Sequence, residues 1–256
     1  MGMKIDRTGE ENINRFGSKM TIIRSNGNKD IDIYFPEYNW ISKNKCYGDF
    51  KIGNIKCPYE PRTFGHGYIG EGKYNTNENG GNTKCYQTWH GMLERCYSEK
   101  THKKQPTYKG CKVSDEWLCF QNFAKWYYEN IYFIEGERMA LDKDILYKGN
   151  KIYSRNTCIF VPERINTLFV KQQNQRGELP IGVYKFRKKY ATDCRGNGEH
   201  IHLGIYNTPE EAFQVYKSYK EKIIKQTIDS YEGIIPEPHY SKLKKAMYNY
   251  KIEVDD

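Results

Sequence analysis

The side chains best suited to act on a partner crowd into the last third of this 256-residue chain. Residues 171–225 carry 11 basic against 6 acidic side chains, about half of the +9 formal excess set by 41 Lys and Arg against 32 Asp and Glu. A surface of that sign raises affinity for a phosphate backbone, with anionic lipid as the alternative partner. Eight cysteines (Cys46, Cys57, Cys85, Cys96, Cys111, Cys119, Cys158 and Cys194) are scattered without a C-x-x-C pair. Zinc sites announce themselves by close ligand pairs, so buried free thiols are the simpler reading, and a zinc site assembled from distant residues stays open. Between Met139 and Pro162, the apolar patches Met139–Leu141 and Cys158–Val161 flank a polar loop. That pattern predicts a β-hairpin with Asp142 and Asp144 near its mouth.

The elements that must position the basic segment are readable. Ile181–Phe186 alternates apolar and polar residues as a strand does, Arg187-Lys188-Lys189 can turn the chain, and Tyr190–Arg195 reads as the returning strand. Gly196-Asn197-Gly198 supplies a second turn, because Gly and Asn tolerate positive φ, and Glu199–Tyr206 reads as a third strand. Thr208 then stands as an N-cap, Pro209 at the first helical position and Glu211 at the capping-box position. Ala212, Phe213, Val215, Tyr216, Tyr219, Ile223 and Ile224 recur mostly at three- and four-residue spacings, so one helix face can cover the sheet.

Leu179–Lys225 resembles the AP2 family of DNA-binding domains in this order of elements and at Gly182-Val183, Tyr190-Ala191, Asp193, Leu203-Gly204, Tyr206, Thr208, Glu210-Glu211-Ala212 and Tyr216. The resemblance implies a three-stranded antiparallel sheet lying in the major groove with the helix packed behind it. Carried over position by position, it puts Tyr184, Phe186, Lys188, Asp193, Arg195, His200 and His202 against DNA. Near Tyr184, Phe186, Lys188, His200 and His202 the plant members favour Arg or Trp, so the plant target sequence is not carried over.

The middle of the chain reads as two helices and the hairpin. Trp89, Met92, Leu93 and Cys96 share helical spacing within Cys85–Tyr97, and Trp117, Phe120, Phe123, Ala124 and Trp126 predict a second helix over Val113–Trp126. Taken with Trp89–Cys96, the Glu116–Phe123 run and Met139–Pro162, this region resembles a phage-encoded family of HNH-like endonucleases, frequently fused to AP2 domains. That mechanism uses a His to activate water and an Asp with a later Asn or His to hold a divalent ion. The resemblance assigns Asp142 and Asn156 to the metal positions, with Mg²⁺ or Mn²⁺ as the ion. The His position is Lys143, and lysine as a residue type supplies a cation where that mechanism needs a general base. Lys143 is expected to bind phosphate instead, and His90 on the first helix is the alternative base if the fold brings it beside Asp142.

Elsewhere, residues 1–15 are polar and without period, as in a mobile arm. Met20, Ile22, Ile31, Ile33 and Phe35 flank Ser25-Asn26-Gly27-Asn28 in period two and predict a hairpin. Tyr47–Pro58 mixes glycines with alternating apolar residues, as expected of a short, strongly bent strand, and resembles an N-terminal module of phage HNH and AP2 proteins. Residues 75–82 read as a linker, and Leu243, Met247 and Tyr250 predict a tail helix from His239. No run approaches the roughly 20 apolar residues of a membrane span, and the start of the chain has no apolar signal core. An intracellular, cytoplasmic chain without a disulfide framework is therefore expected.

The expectation is an α+β chain in modules: arm 1–15, small β module 16–74, linker 75–82, HNH-like domain 83–169 and AP2-like domain 170–256. Its expected work is sequence-specific binding of double-stranded DNA in a phage or prophage setting, without a cofactor. The alternative is an HNH-type homing endonuclease that cuts or nicks DNA with a divalent metal.

Overall fold

The computed structural model describes residues 5–169, 178–196 and 199–254. It is an α+β protein of two compact units, Met1–Tyr128 and Glu129–Asp256. Among the described residues no helix is long and apolar enough to cross a membrane.

The first unit opens with an antiparallel meander of β1 (Glu11–Ile13), β2 (Lys19–Ser25), β3 (Ile31–Phe35) and β4 (Trp40–Lys45). The period-two residues of the predicted hairpin, Met20, Ile22, Ile31, Ile33 and Phe35, form its core with Phe50, Ile55 and Cys57. Residues 11–13, expected in a mobile arm, instead pair along β2 as an edge strand. The segment expected as a bent strand begins with helix α1 (Tyr47–Lys51), because one helical turn drops Phe50 into the sheet's core. Where a linker is expected, β5 (Asn77–Glu78) and β6 (Gly81–Asn82) pair across Asn79 and Gly80, at φ 50° and 79°. Positive φ at both central positions is the geometry a two-residue hairpin turn requires.

Helix α2 (Lys84–Tyr97) starts at Thr83, whose hydroxyl accepts from the Tyr86 amide at 3.2 Å, and buries Cys85, Trp89, Met92, Leu93 and Cys96 as its spacing predicts. It is followed by α3 (Glu99–Lys104) and the short strand β7 (Lys112–Val113). The second predicted helix is divided into α4 (Asp115–Leu118) and α5 (Phe120–Asn130). Cys119 between them is extended because this stretch pairs with Tyr68: the Tyr68 amide donates to Leu118 O and the Phe120 amide to Tyr68 O, each at 2.9 Å.

The second unit contains β8 (Met139–Asp142), β9 (Ile152–Tyr153), β10 (Ile159–Pro162) and α6 (Glu163–Thr167). The predicted hairpin is present as the antiparallel pair β8 and β10, with Ile159, Phe160 and Val161 buried. The C-terminal sheet follows in the order β11 (Val183–Phe186), β12 (Lys189–Gly196) and β13 (Glu199–Tyr206), all antiparallel. Asn197 and Gly198, expected in its second turn, and residue 170, an expected boundary, lie outside the described residues. Helix α7 (Pro209–Asp229) begins with the full capping box of Thr208 and Glu211, then lays Ala212, Phe213, Tyr216, Ile223 and Ile224 over the sheet. Helix α8 (His239–Asn249) packs on α7 and buries Leu243 and Met247. Seven cysteines are buried and Cys46 is exposed; burial alone lifts the Cys85 thiol to about 12.

Sheet and helix approach so closely that glycine is required where they touch. Gly182 sits at φ +75°, and a Cβ there would lie 2.2 Å from the Tyr216 ring. Gly182→Ala therefore combines an unfavourable backbone with overpacking and is expected to cost about 3 kcal/mol. Gly233→Ala, at φ +74° but with nothing within 4 Å, is expected to cost about 1 kcal/mol. Urea denaturation of both variants checks the difference; equal losses would mean that the Tyr216 ring yields.

Candidate nucleic-acid interface

Period two and one irregularity decide which side chains leave the sheet away from α7. Val183, Thr192 and Cys194 alternate toward the helix and are buried, as is Gly196, whose Cβ would meet Ile223 at 2.8 Å. Lys189, Asp193 and Arg195 therefore face outward, with Ala191 in the same row but fully buried, and residues directly opposite one another in register share that face. Arg195 lies opposite His200, Asp193 opposite His202, Tyr184 opposite Ala191, and Phe186 opposite Lys189. The residues expected on DNA from the three strands are brought together on this outer face. Lys188 stands exposed in the turn beside Arg187, which adopts φ 55° and places its guanidinium 5.5 Å from the Phe186 ring centroid.

Asp193 organises the centre of the face. Its Oδ1 lies 2.6 Å from His202 Nδ1, and its Oδ2 accepts from the Tyr184 hydroxyl at 3.0 Å and lies 3.3 Å from His200 Nε2. Its side chain is 20% exposed against 57% for His200 and 52% for His202, so the carboxylate sits beneath a rim of ring nitrogens. Burial first, and then the Asp193 carboxylate, raise the pKa of the Tyr184 phenol, which keeps it a donor. The carboxylate fixes three side chains whose remaining edges point to solvent, next to the exposed Arg195 guanidinium. Such a surface can donate and accept at base edges while Arg195, Lys188 and Lys189 meet phosphate.

Ile205, 45% exposed, shares the outer face opposite Ala191 and was not expected there. Strict alternation from His200 and His202 sends Ile205 to the helix side. The register shifts between Thr192 and Asp193 so that Leu203 is an extra residue on β13, which returns Ile205 to the outside. Gly204 beside it, at φ +129°, is the one sequence signal, since glycine inside a strand often marks a bulge.

The loop after β8 differs from its expectation. Lys143 is 5% exposed, and its ammonium donates to Asp144 Oδ2 at 2.6 Å and to Asn150 O at 2.9 Å. This is a correction: the lysine expected at a phosphate is turned inward and holds its own loop closed. Asp142 Oδ1 accepts from the amides of Asp144 at 2.7 Å and Ile145 at 2.6 Å. Burial raises the pKa of its carboxyl despite these two donors, which act the other way. Asn156 lies on the exposed turn of residues 154–157, and His90 belongs to the other unit, on α2, with its ring 4.9 Å from Phe64. Among the described residues no group of three His, Cys, Asp or Glu side chains is placed to hold a metal ion. A carboxylate spent on loop amides beside a buried ammonium is a poor fit to Mg²⁺ or Mn²⁺, which need several converging oxygens.

Lys143→Met is expected to lower the stability of the second unit by about 1–3 kcal/mol, since it leaves the Asn150 carbonyl unpaired in a part-buried loop. Because both hydrogen-bond partners of Lys143 lie within its own loop, any nucleic-acid binding by the chain should keep its affinity and salt dependence in this variant. Denaturation paired with a binding titration checks this, and a shallower salt slope would return Lys143 to the interface. Comparisons of the chain with protein-family models, with curated proteins and with solved structures find no match.

Proposed function

We propose that this chain is a sequence-specific double-stranded DNA-binding protein that reads the major groove with the outer face of the β11–β13 sheet. The observation that carries the reading is the convergence of Tyr184, Asp193, Arg195, His200 and His202 on one uncovered face while α7 covers the other. The major groove admits a two-stranded β-ribbon, and proteins that read DNA with strands use it, so the outward side chains of the adjacent β12 and β13 would meet base edges directly. Lys188, Lys189 and Arg187 at the β11–β12 turn are exposed at one end of the ribbon, where the phosphate chain bordering a groove would pass. Asp193 supports specificity, because a side chain held by a hydrogen bond loses less freedom on binding than a loose one. The AP2-like pattern of Leu179–Lys225 supports the same docking mode.

The reading is tested by selecting bound fragments from random duplex with the full chain, then measuring affinity for the selected site by fluorescence anisotropy against salt. Affinity is expected to fall steeply and linearly on a log–log salt plot. Arg195→Ala is expected to lower discrimination between the selected site and its single-base variants by about 1–3 kcal/mol if it reads a base edge. If it meets phosphate, it should weaken all sequences alike and flatten the salt slope by about one charge. A chain that selects no sequence, or an Arg195→Ala variant unchanged in both quantities, would refute this use of the sheet.

A further inference from the structure

The first unit holds a cleft of about 580 Å³, walled on one side by Phe16, Lys56 and Arg62 and on the other by Phe64, Tyr86 and His90. Two buried polar side chains build its first wall. Asn14 is 4% exposed and Glu60 2%. The Asn14 carboxamide oxygen accepts from the amides of Phe16 at 3.0 Å and Ser18 at 2.9 Å, while its nitrogen donates to Ile55 O at 3.1 Å and to the Glu60 carboxylate. Glu60 also accepts from the Cys57 amide at 3.3 Å and faces Arg62 Nε at 3.7 Å. One network therefore fixes both the turn that carries Phe16 and the loop that carries Arg62.

Burying a carboxylate is costly, and here it holds a cation at the mouth of a cleft rather than filling a core. The Arg62 guanidinium lies 4.9 Å from the Phe16 ring centroid and the Lys56 ammonium 5.9 Å, while the Phe16 ring remains 49% exposed. Among the described residues Lys56 has no anionic partner, and the terminal nitrogens of Arg62 have no hydrogen bond.

The opposite wall is strained. Phe64 adopts φ 53°, a conformation a bulky residue rarely takes, inside a loop closed by reciprocal bonds of 2.9 Å between Thr63 and Gly67. The loop is seated tightly on α2, where a Cβ on Gly67 would lie 2.4 Å from Leu93. Its effect is to set the Phe64 ring against His90, whose ring also lies 5.9 Å from that of Tyr86.

Aromatic faces on two walls suit a flat heterocycle, and beside an exposed ring the Lys56 ammonium, with no anionic partner among the described residues, and the Arg62 guanidinium, which meets Glu60 only through Nε, suit a phosphate attached to it. The volume is in the range of small-ligand sites. We propose that this cleft binds an unpaired nucleotide, with its base against the Phe16 and His90 walls and its phosphate on Lys56 and Arg62. The nucleotide is either free or one residue of a DNA strand, and the site is independent of the reading sheet.

The test uses the full chain and three probes whose fluorescence is quenched on stacking: 2-aminopurine deoxynucleoside, its 5′-monophosphate, and a single-stranded oligonucleotide with one 2-aminopurine. Saturable quenching of the monophosphate at about tenfold higher affinity than the nucleoside is expected. Phe16→Ala should weaken it by about tenfold. Lys56→Gln should weaken the monophosphate and leave the nucleoside unchanged. Both substitutions are at exposed side chains, so the fold is retained. Quenching of the monophosphate and the oligonucleotide alike supports a site for the nucleotide unit from either source, and quenching of the oligonucleotide alone supports the strand as the source. Absence of saturable quenching with every probe overturns the proposal, as do equal affinity for nucleoside and monophosphate and indifference to Phe16→Ala. Arg195→Ala should leave the quenching untouched; its loss in that variant would assign the signal to the sheet and also overturn the cleft.

Discussion

The close seating of α7 on the inner face of the C-terminal sheet is the contact on which the rest of that unit depends. The strands come near enough that Gly182 faces the Tyr216 ring and Gly196 faces Ile223 without room for a side chain. Once that face is filled, the pleat sends every second residue of β12 and its partners the other way, and polarity follows from geometry. The outward row is then free to be chosen for what it touches. Asp193 uses that freedom by gathering Tyr184, His200 and His202 around one carboxylate.

The two units contain contrasting uses of buried charge. In the loop after β8, Lys143 is inside, and both of its hydrogen-bond partners, Asp144 and the Asn150 carbonyl, belong to the same loop. Nothing of its charge is presented outward, and the interaction serves closure. In the first unit Glu60 is the buried member, and the cation it faces, Arg62, is partly exposed at a cleft mouth. In the proposed cleft, that arrangement leaves the Arg62 terminal nitrogens for a ligand. This difference separates a residue that keeps a loop shut from one that prepares a site, although composition alone treats them alike.

The HNH-like reading of the middle region turns on the same loop. The order Asp142, Lys143 and Asn156 is compatible with a degenerate metal site by residue type. In the fold, Asp142 accepts two amides of its own turn and Lys143 closes the loop behind it. Side-chain identity leaves open whether a carboxylate points at a metal or at its own backbone, because both satisfy the same lone pairs.

What the sequence determined by itself is what short-range forces decide. The capping box at Thr208 and Glu211, the stripe of α2 and the β2–β3 and β8–β10 hairpins were all legible, since each depends on periodicity or on bonds spanning three or four residues. The tertiary structure decided what depends on a distant partner. Tyr68 divides the predicted second helix at Cys119, because an isolated backbone bridge to a residue 51 positions earlier in the chain competes with the helical bonds of that stretch. The core's demand for Phe50 makes a helical turn of a segment whose glycines suggest a strand. The bulge at Leu203 reverses the facing of Ile205, and the closure of its loop hides Lys143. The cleft between Phe16 and His90 left no periodic mark, since its walls come from separate turns and a helix that only the folded chain brings together.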